Sequence, residues 1–180
     1  MTRRCCWCNE KNPLYIAYHD YEWGIPVRDD EALFELLILE SFQAGLSWET
    51  VLNKRESFRR AFDSFDPKLI SQYDENKIDT LMQNRDIIRN RRKITAVIKN
   101  ARIFLDIKKE FGSFLAYIES FTGKTVIFEC DRVTSPLSER LSADLIRRGM
   151  RFVGSTIIYS FLQATGFIYS HEEGCFLHKK

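Results

Sequence analysis

The sequence holds 180 residues, enough for one domain of ordinary size that buries about two thirds of the surface its unfolded chain would expose. Hydrophobic residues at 44 %, charged residues at 29 % and aromatic residues at 13 % exclude a disordered chain, and no apolar run approaches the roughly 18 residues of a membrane span. The net charge of +2 hides an uneven distribution: residues 1–80 carry 10 Lys and Arg against 15 Asp and Glu, whereas residues 81–102 carry 7 against 1.

The amino-terminal stretch MTRRCCWCNE is basic but lacks an apolar segment after it, which predicts a cytoplasmic protein with no membrane contact. Five cysteines (Cys5, Cys6, Cys8, Cys130, Cys175) form an odd set, so metal binding or free thiols fit better than a disulfide framework. Next comes Tyr15-Ile16-Ala17-Tyr18-His19-Asp20-Tyr21-Glu22-Trp23-Gly24, a segment dense in aromatic rings with one histidine and two acids. Apolar positions 33, 36, 37, 40, 44 and 48 then mark a helix over Glu31–Ala44, provided Glu40 is counted as apolar, with Asp29 or Asp30 as its cap.

Further helices are predicted over Trp48–Phe62, Pro67–Tyr73, Glu75–Met82, Arg91–Glu110, Ser113–Ser120, Ser138–Arg148 and Ser155–Thr165, with Lys124–Phe128 as the one good strand candidate. The elements predict an all-α protein: a single compact helical domain over residues 1–180. Between the last two helices, Gly149 and Gly154 bracket a tight turn beside Arg147, Arg148 and Arg151, ahead of the unpaired N–H groups that open at Ser155. Such a turn is either a solvated basic rim or a phosphate site, and the basic run from Arg85 to Arg102 has the same two readings.

Candidate metal ligands are ambiguous by spacing. Cys5, His19, His171 and Cys175 form a two-cysteine, two-histidine set that suits a closed tetrahedral zinc and would join the two ends of the chain. Cys5-x-x-Cys8 could instead join His19 and His178, or be redox-active. Glu40 is the sharper anomaly, because a carboxylate on an apolar stripe costs several kcal/mol unless donors meet it. It is either a glutamate paired with a core Arg, Tyr or Trp, or an acid lining a pocket. Gln43 one turn later, Trp48, and the rings of residues 15–24 favour a pocket for a flat, electron-poor ligand bearing N–H donors.

Cys5-x-Trp7, the stretch from Pro13 to Gly24, Leu39-Glu40-x-x-Gln43-Ala44-Gly45-Leu46-Ser47-Trp48, Phe65-Asp66-Pro67, Arg89-x-Arg91-x-Lys93-Ile94 and Arg148-Gly149-x-x-Phe152-Val153-Gly154 occur in this order. Together they closely resemble the constitutive, type I bacterial family of 3-methyladenine DNA glycosylases. The resemblance implies a helix-hairpin-helix DNA glycosylase fold, with the hairpin at residues 149–154, and one structural zinc clasping the termini through Cys5, His19, His171 and Cys175. Glu40 then matches the acid that reads the flipped base, and Trp48 and Tyr18 match the rings that hold it. Tyr15, Trp7, Trp23 and Gln43 would complete the base pocket, while Arg148, Gly149, Arg151, Gly154 and Ser155 would contact DNA.

The implied activity is hydrolysis of the N-glycosidic bond of 3-methyladenine, with 3-methylguanine as a second candidate, by a monomer acting on alkylated double-stranded DNA and releasing the free base. No lysine lies in the pocket motifs, so simple hydrolysis is expected rather than lyase chemistry. The competing readings are a non-catalytic, zinc-stabilised helix-hairpin-helix protein binding DNA or a nucleobase, and a redox or metal-dependent enzyme built on Cys5-x-x-Cys8. Cys6, Cys8 and His178 are additional thiol and imidazole groups beyond the family pattern, and the segment Thr125–Pro136 departs from it.

Overall fold

A computed structural model describes residues 3–179, and its architecture is set by one helix that is buried all round. That helix, Asp30–Gln43 (α2), has every residue from Leu36 to Phe42 buried. Before it, Pro13–Tyr21 forms α1, started by Asn12, whose side chain accepts the Leu14 N–H. The sequence reading placed no helix here. The reason is that α1 buries Tyr15, Tyr18 and His19 toward different surroundings and so lacks the single apolar stripe that signals a helix.

The two adjacent acids at the start of α2 divide two tasks. Asp29 caps α2 through Ala32 N–H at 2.8 Å. Asp30 turns outward from its own helix: its carboxylate accepts the N–H groups of Phe114 and Leu115 and lies 3.0 Å from Lys108 Nζ. These bonds cap Phe114–Thr122 (α8), so residues far apart in sequence are held together at two helix ends.

The expected helix over Trp48–Phe62 is two, Trp48–Leu52 (α3) and Arg55–Ala61 (α4), separated at Asn53-Lys54. A 3-10 turn at Asp63–Phe65 follows, with all three residues at positive φ. Pro67–Ile70 (α5), Glu75–Gln83 (α6) and the long Arg91–Phe111 (α7) precede α8. Pro136–Arg148 (α9) and Ser155–Ala164 (α10) complete the helices. Only Ile127–Phe128 (β1) of the expected strand forms, paired in parallel with Ile168–Tyr169 (β2), so the fold is mostly helical rather than wholly so.

α2 packs against α10, α7, α3 and α8, and α9 packs against α10. The turn from α9 to α10 is fixed in detail. Gly149, at φ 104°, sends its N–H to Ile146 O while Met150 N–H reaches Leu145 O, the paired bonds of a Schellman stop. Asn100 on α7 then holds Arg151 by both backbone groups, donating to its carbonyl and accepting its N–H, each at 2.9 Å. Ser142 donates to Val153 O at 2.7 Å.

Asn100 is fully buried. Asn100→Ala is expected to lower stability by about 2–4 kcal/mol, since both Arg151 groups lose their partner. Chemical denaturation of the two proteins would measure this.

Candidate active site

Pieces of chain from both halves of the sequence converge on one cavity of about 390 Å³. α1 presents Tyr15 and Tyr18, three residues apart and therefore on one face. α2 presents Glu40 and Gln43 with the same spacing. Trp48 opens α3, Trp7 comes from the amino-terminal segment, and Trp23 follows α1. The rings form a continuous wall: Trp7 lies 4.8 Å from Trp23 and 5.5 Å from Tyr15, and Tyr18 lies 5.2 Å from Trp48, centroid to centroid.

The turn that delivers Trp48 is built by its backbone. Ala44 lies at φ −48°, ψ 111° and Gly45 at φ 79°, with Leu46 N–H on Gln43 O, the geometry of a type II turn. Gly45 accepts the positive φ without strain. Ser47 then caps α3 through Thr50 N–H, placing Trp48 at the first helical position.

Two polar atoms of this cavity are buried without a hydrogen-bond partner among the described residues: Oε2 of Glu40 and Nε1 of Trp48. Burial, with no compensating charge, pushes the Glu40 carboxyl up to about 8. Burial likewise raises Tyr15 to about 12 and Tyr18 well above the usual phenol range, so both hydroxyls keep their protons. The cavity thus offers an unpaired acid, an unpaired indole donor and flat ring faces, the equipment to receive a planar heterocycle with hydrogen-bonding edges.

On the other side of α1, Cys5, His19, His171 and Cys175 are all buried, with one ligand atom from each lying within 4.8 Å of the rest. Cys5 Sγ is 3.5 Å from His171 Nδ1, and Cys175 Sγ is 3.5 Å from His19 Nε2 and 3.6 Å from His171 Nδ1. The group could hold a metal ion. The other candidates point elsewhere: the Cys8 thiol toward Tyr15 O, the Cys6 thiol toward Glu172, and His178 Nδ1 toward His171 O. Cys5 and Cys8 therefore face different partners, and the competing ligand set is not brought together.

The two acids of the opening aromatic segment act as supports. Asp20 meets His19 Nδ1 at 2.8 Å and receives a two-pronged bond from Arg4, which holds its carboxyl below the usual range. Glu22 pairs with Arg55, which also reaches Glu35.

At the hairpin, Arg151 is exposed and shares a cleft with Arg92 and Lys99, and none of the three has an ion-pair partner among the described residues. Gly149, Gly154 and Ser155 frame this turn, and Gly154, just ahead of α10, gives the helix no side-chain cap. Arg148 is placed differently from the others: it pairs with Glu110 and Asp144 and lies over the rings of Phe111 and Tyr117. Arg91 is likewise taken up by Glu75 and Asp79, and Lys93 is buried.

Sequence reasoning missed the opposite wall of the cavity, which includes Arg132, Val133, Ser160, Gln163 and Ser170. The three-residue spacing of Ser160 and Gln163 on α10 was the only signal available, and polar residues at that spacing ordinarily mark a solvated helix face.

Fold and pocket together define a helical protein with a ring-walled cavity shaped for a flat heterocycle and a basic turn between its last two helices. Residues 7–178 match the protein family described as methyladenine glycosylase. A protein of Escherichia coli K12 named DNA-3-methyladenine glycosylase 1 is 45 % identical over 179 residues, which cover 96 % of this chain and 95 % of that protein. Among solved structures, a crystal structure of 3-methyladenine DNA glycosylase I superposes with a TM-score of 0.94 at 44 % identity, over 98 % of this chain and 100 % of the other. A Staphylococcus aureus structure described as the structural basis of 3-methyladenine recognition superposes at 0.93 with 34 % identity, over 98 % and 97 % of the two chains. The chain belongs to the methyladenine glycosylase family.

The raised Glu40 carboxyl has a consequence for stability. An unfolded glutamate loses its proton near pH 4.5 while the folded one keeps it to about 8, so the folded state loses stability as pH rises through this window. Glu40→Gln, which does not titrate, is expected to match the native protein near pH 4 and to exceed it by roughly 3 kcal/mol at pH 7. Denaturation of both proteins across pH 4–9 measures the difference.

Proposed function

We propose that this chain is a monofunctional DNA glycosylase that extrudes 3-methyladenine from alkylated duplex DNA and hydrolyses its N-glycosidic bond, with 3-methylguanine as a second substrate of the same charge. The observation that carries the reading is the buried, unpaired carboxyl of Glu40 facing a cavity walled by Trp48, Tyr18, Tyr15, Trp7 and Trp23, with Gln43 at its edge.

Methylation at N3 makes the adenine of the nucleoside cationic. Aromatic faces attract such a ring by about 0.5–2 kcal/mol each, and unmodified adenine gains less. Glu40 accepts a hydrogen bond from the exocyclic amine, and the positive base draws the carboxyl toward its ionised form. When the bond from C1′ to the base breaks, its electron pair returns to the ring and neutralises it; water adds to C1′ and loses a proton.

Because Glu40 binds the cation more tightly than the neutral leaving group, it favours the ground state as well and acts mainly in recognition. The substrate's own weak bond supplies much of the rate. No lysine among the described residues lines the cavity, which supports hydrolysis without lyase chemistry.

DNA is held at the hairpin from Gly149 to Ser155, where Arg151 and the open N-terminus of α10 meet phosphate. Arg148, tied to Glu110 and Asp144, braces α9 rather than touching the backbone. The protein acts as a monomer in the cytoplasm. No helix among the described residues is long and apolar enough to cross a membrane.

Cys5, His19, His171 and Cys175 bind one structural zinc. Zn–S and Zn–N bonds of about 2.3 and 2.0–2.1 Å at tetrahedral angles span roughly 3.5 Å between sulfur and nitrogen. The separations of 3.5 and 3.6 Å fit that span. Asp20 on His19 Nδ1 turns Nε2 toward Cys5 and Cys175, the usual supporting arrangement of a zinc histidine.

Glu40→Gln is expected to lower release of 3-methyladenine from methylated duplex DNA by tenfold or more, and Trp48→Ala to weaken binding of the free base about tenfold, some 1.4 kcal/mol. Chromatography of released bases and titration of tryptophan fluorescence read the two effects; unchanged values for both would overturn the assignment, and wild-type binding without release would favour a non-catalytic binder. For the metal, Cys175→Ala should abolish the one equivalent of zinc and destabilise the fold by several kcal/mol, as elemental analysis and thermal melting would register.

A further inference from the structure

Lys93 lies in the basic run, yet its side chain is buried and points inward. Its Nζ donates to Phe42 O at 2.8 Å and to Ala44 O at 2.6 Å. These carbonyls flank Gln43, and the second belongs to the central peptide of the type II turn from Gln43 to Leu46. That peptide distinguishes type II from type I, because the two forms differ by its rotation and by the sign of φ at the following residue. A donor on Ala44 O therefore selects type II. Gln43 and Trp48, on either side of the turn, both line the base cavity.

The same ammonium lies 5.8 Å from the ring centre of Phe152, within cation–π range. Phe152 belongs to the hairpin turn and is held at φ 57°. Its neighbour Arg151 is clamped by Asn100, seven residues after Lys93 on α7. The last turn of α2 has no basic residue of its own, so Lys93 also supplies the cation that the carbonyl end of that helix favours.

We propose that Lys93 is a positioning residue that locks the Gln43–Leu46 turn in its type II form and couples the DNA-binding hairpin, through Phe152, to the side of the pocket built by Gln43 and Trp48. The inference rests on the base-excision reading. Lys93 touches neither base nor sugar. It acts by holding the turn where the extruded base is received when the hairpin is seated on the duplex.

The test compares wild type, Lys93→Met and Phe152→Leu for 3-methyladenine release from methylated duplex, affinity for the free base, and affinity for undamaged duplex. Lys93→Met is expected to lower kcat at saturating DNA by roughly tenfold or more and to weaken free-base binding, because small displacements of pocket groups are costly to rate. Its affinity for undamaged duplex stays within about twofold of wild type if the phosphate contacts are made by other residues. Phe152→Leu is expected to lower release while leaving free-base affinity unchanged.

A folded Lys93→Met protein with unaltered kcat overturns the proposal, as does one that loses only duplex affinity. Should Lys93→Met fail to fold, Phe152→Leu decides: reduced release with intact free-base binding upholds the coupling, and any other pattern overturns it. Wild-type protein that releases no base would instead overturn the functional reading itself.

Discussion

Removing the Glu40 carboxyl group from water without giving it a partner is the constraint on which the site depends. A carboxyl at the end of a flexible loop would swing back to solvent or to a nearby arginine. Glu40 has no such escape, because it stands on a helix whose residues from Leu36 to Phe42 are all buried, packed by α10, α7, α3 and α8. The backbone cannot rotate it out without opening the core. Arg55 and Arg59 are committed to Glu35 and Lys93 to backbone carbonyls, and Arg132, in the opposite wall of the cavity, makes no bond to Glu40. A positively charged guest is then the best available partner for the acid.

The rest of the fold sets what can reach that acid. The aromatic wall presents flat faces that suit a planar ring. At the hairpin, Gly149, Asn100 and Ser142 fix the backbone through bonds that are independent of the pocket. The two regions meet along α7, which carries both the clamp on Arg151 and the lysine beneath the Gln43–Leu46 turn. The turn after α9 and the turn that carries Gln43 into the cavity are therefore both fastened to one helix.

Much of this was legible in the sequence, for identifiable reasons. Glu40 stood out because a charge interrupted an apolar pattern, although α2 proves to be buried around its full circumference over this stretch, so any side there would have been enclosed. The ligand set Cys5, His19, His171 and Cys175 was one of several by spacing, and only the folded chain, bringing its two ends together near the β1–β2 pair, separates it from Cys8 and His178. α1 escaped notice because it serves two sites and so lacks one apolar face. Lys93 and Arg148 were hidden inside basic runs, where local sequence gives no sign that one side chain turns to the core and another to Glu110 and Asp144. The break between α3 and α4 left no proline or glycine to announce it.

Tyr18 and His19 are adjacent on α1, and Trp7 and Trp23 stand between their two sites, at 5.2 Å from His19 and 4.7 Å from His171 respectively. The floor of one chamber is thus the roof of the other. A change in either set of rings must be accommodated by the other, which restricts how such a protein can drift. New base preferences would arise more readily from the wall formed by α10 and the 131–133 loop, where no residue has a second duty to the group of Cys5, His19, His171 and Cys175.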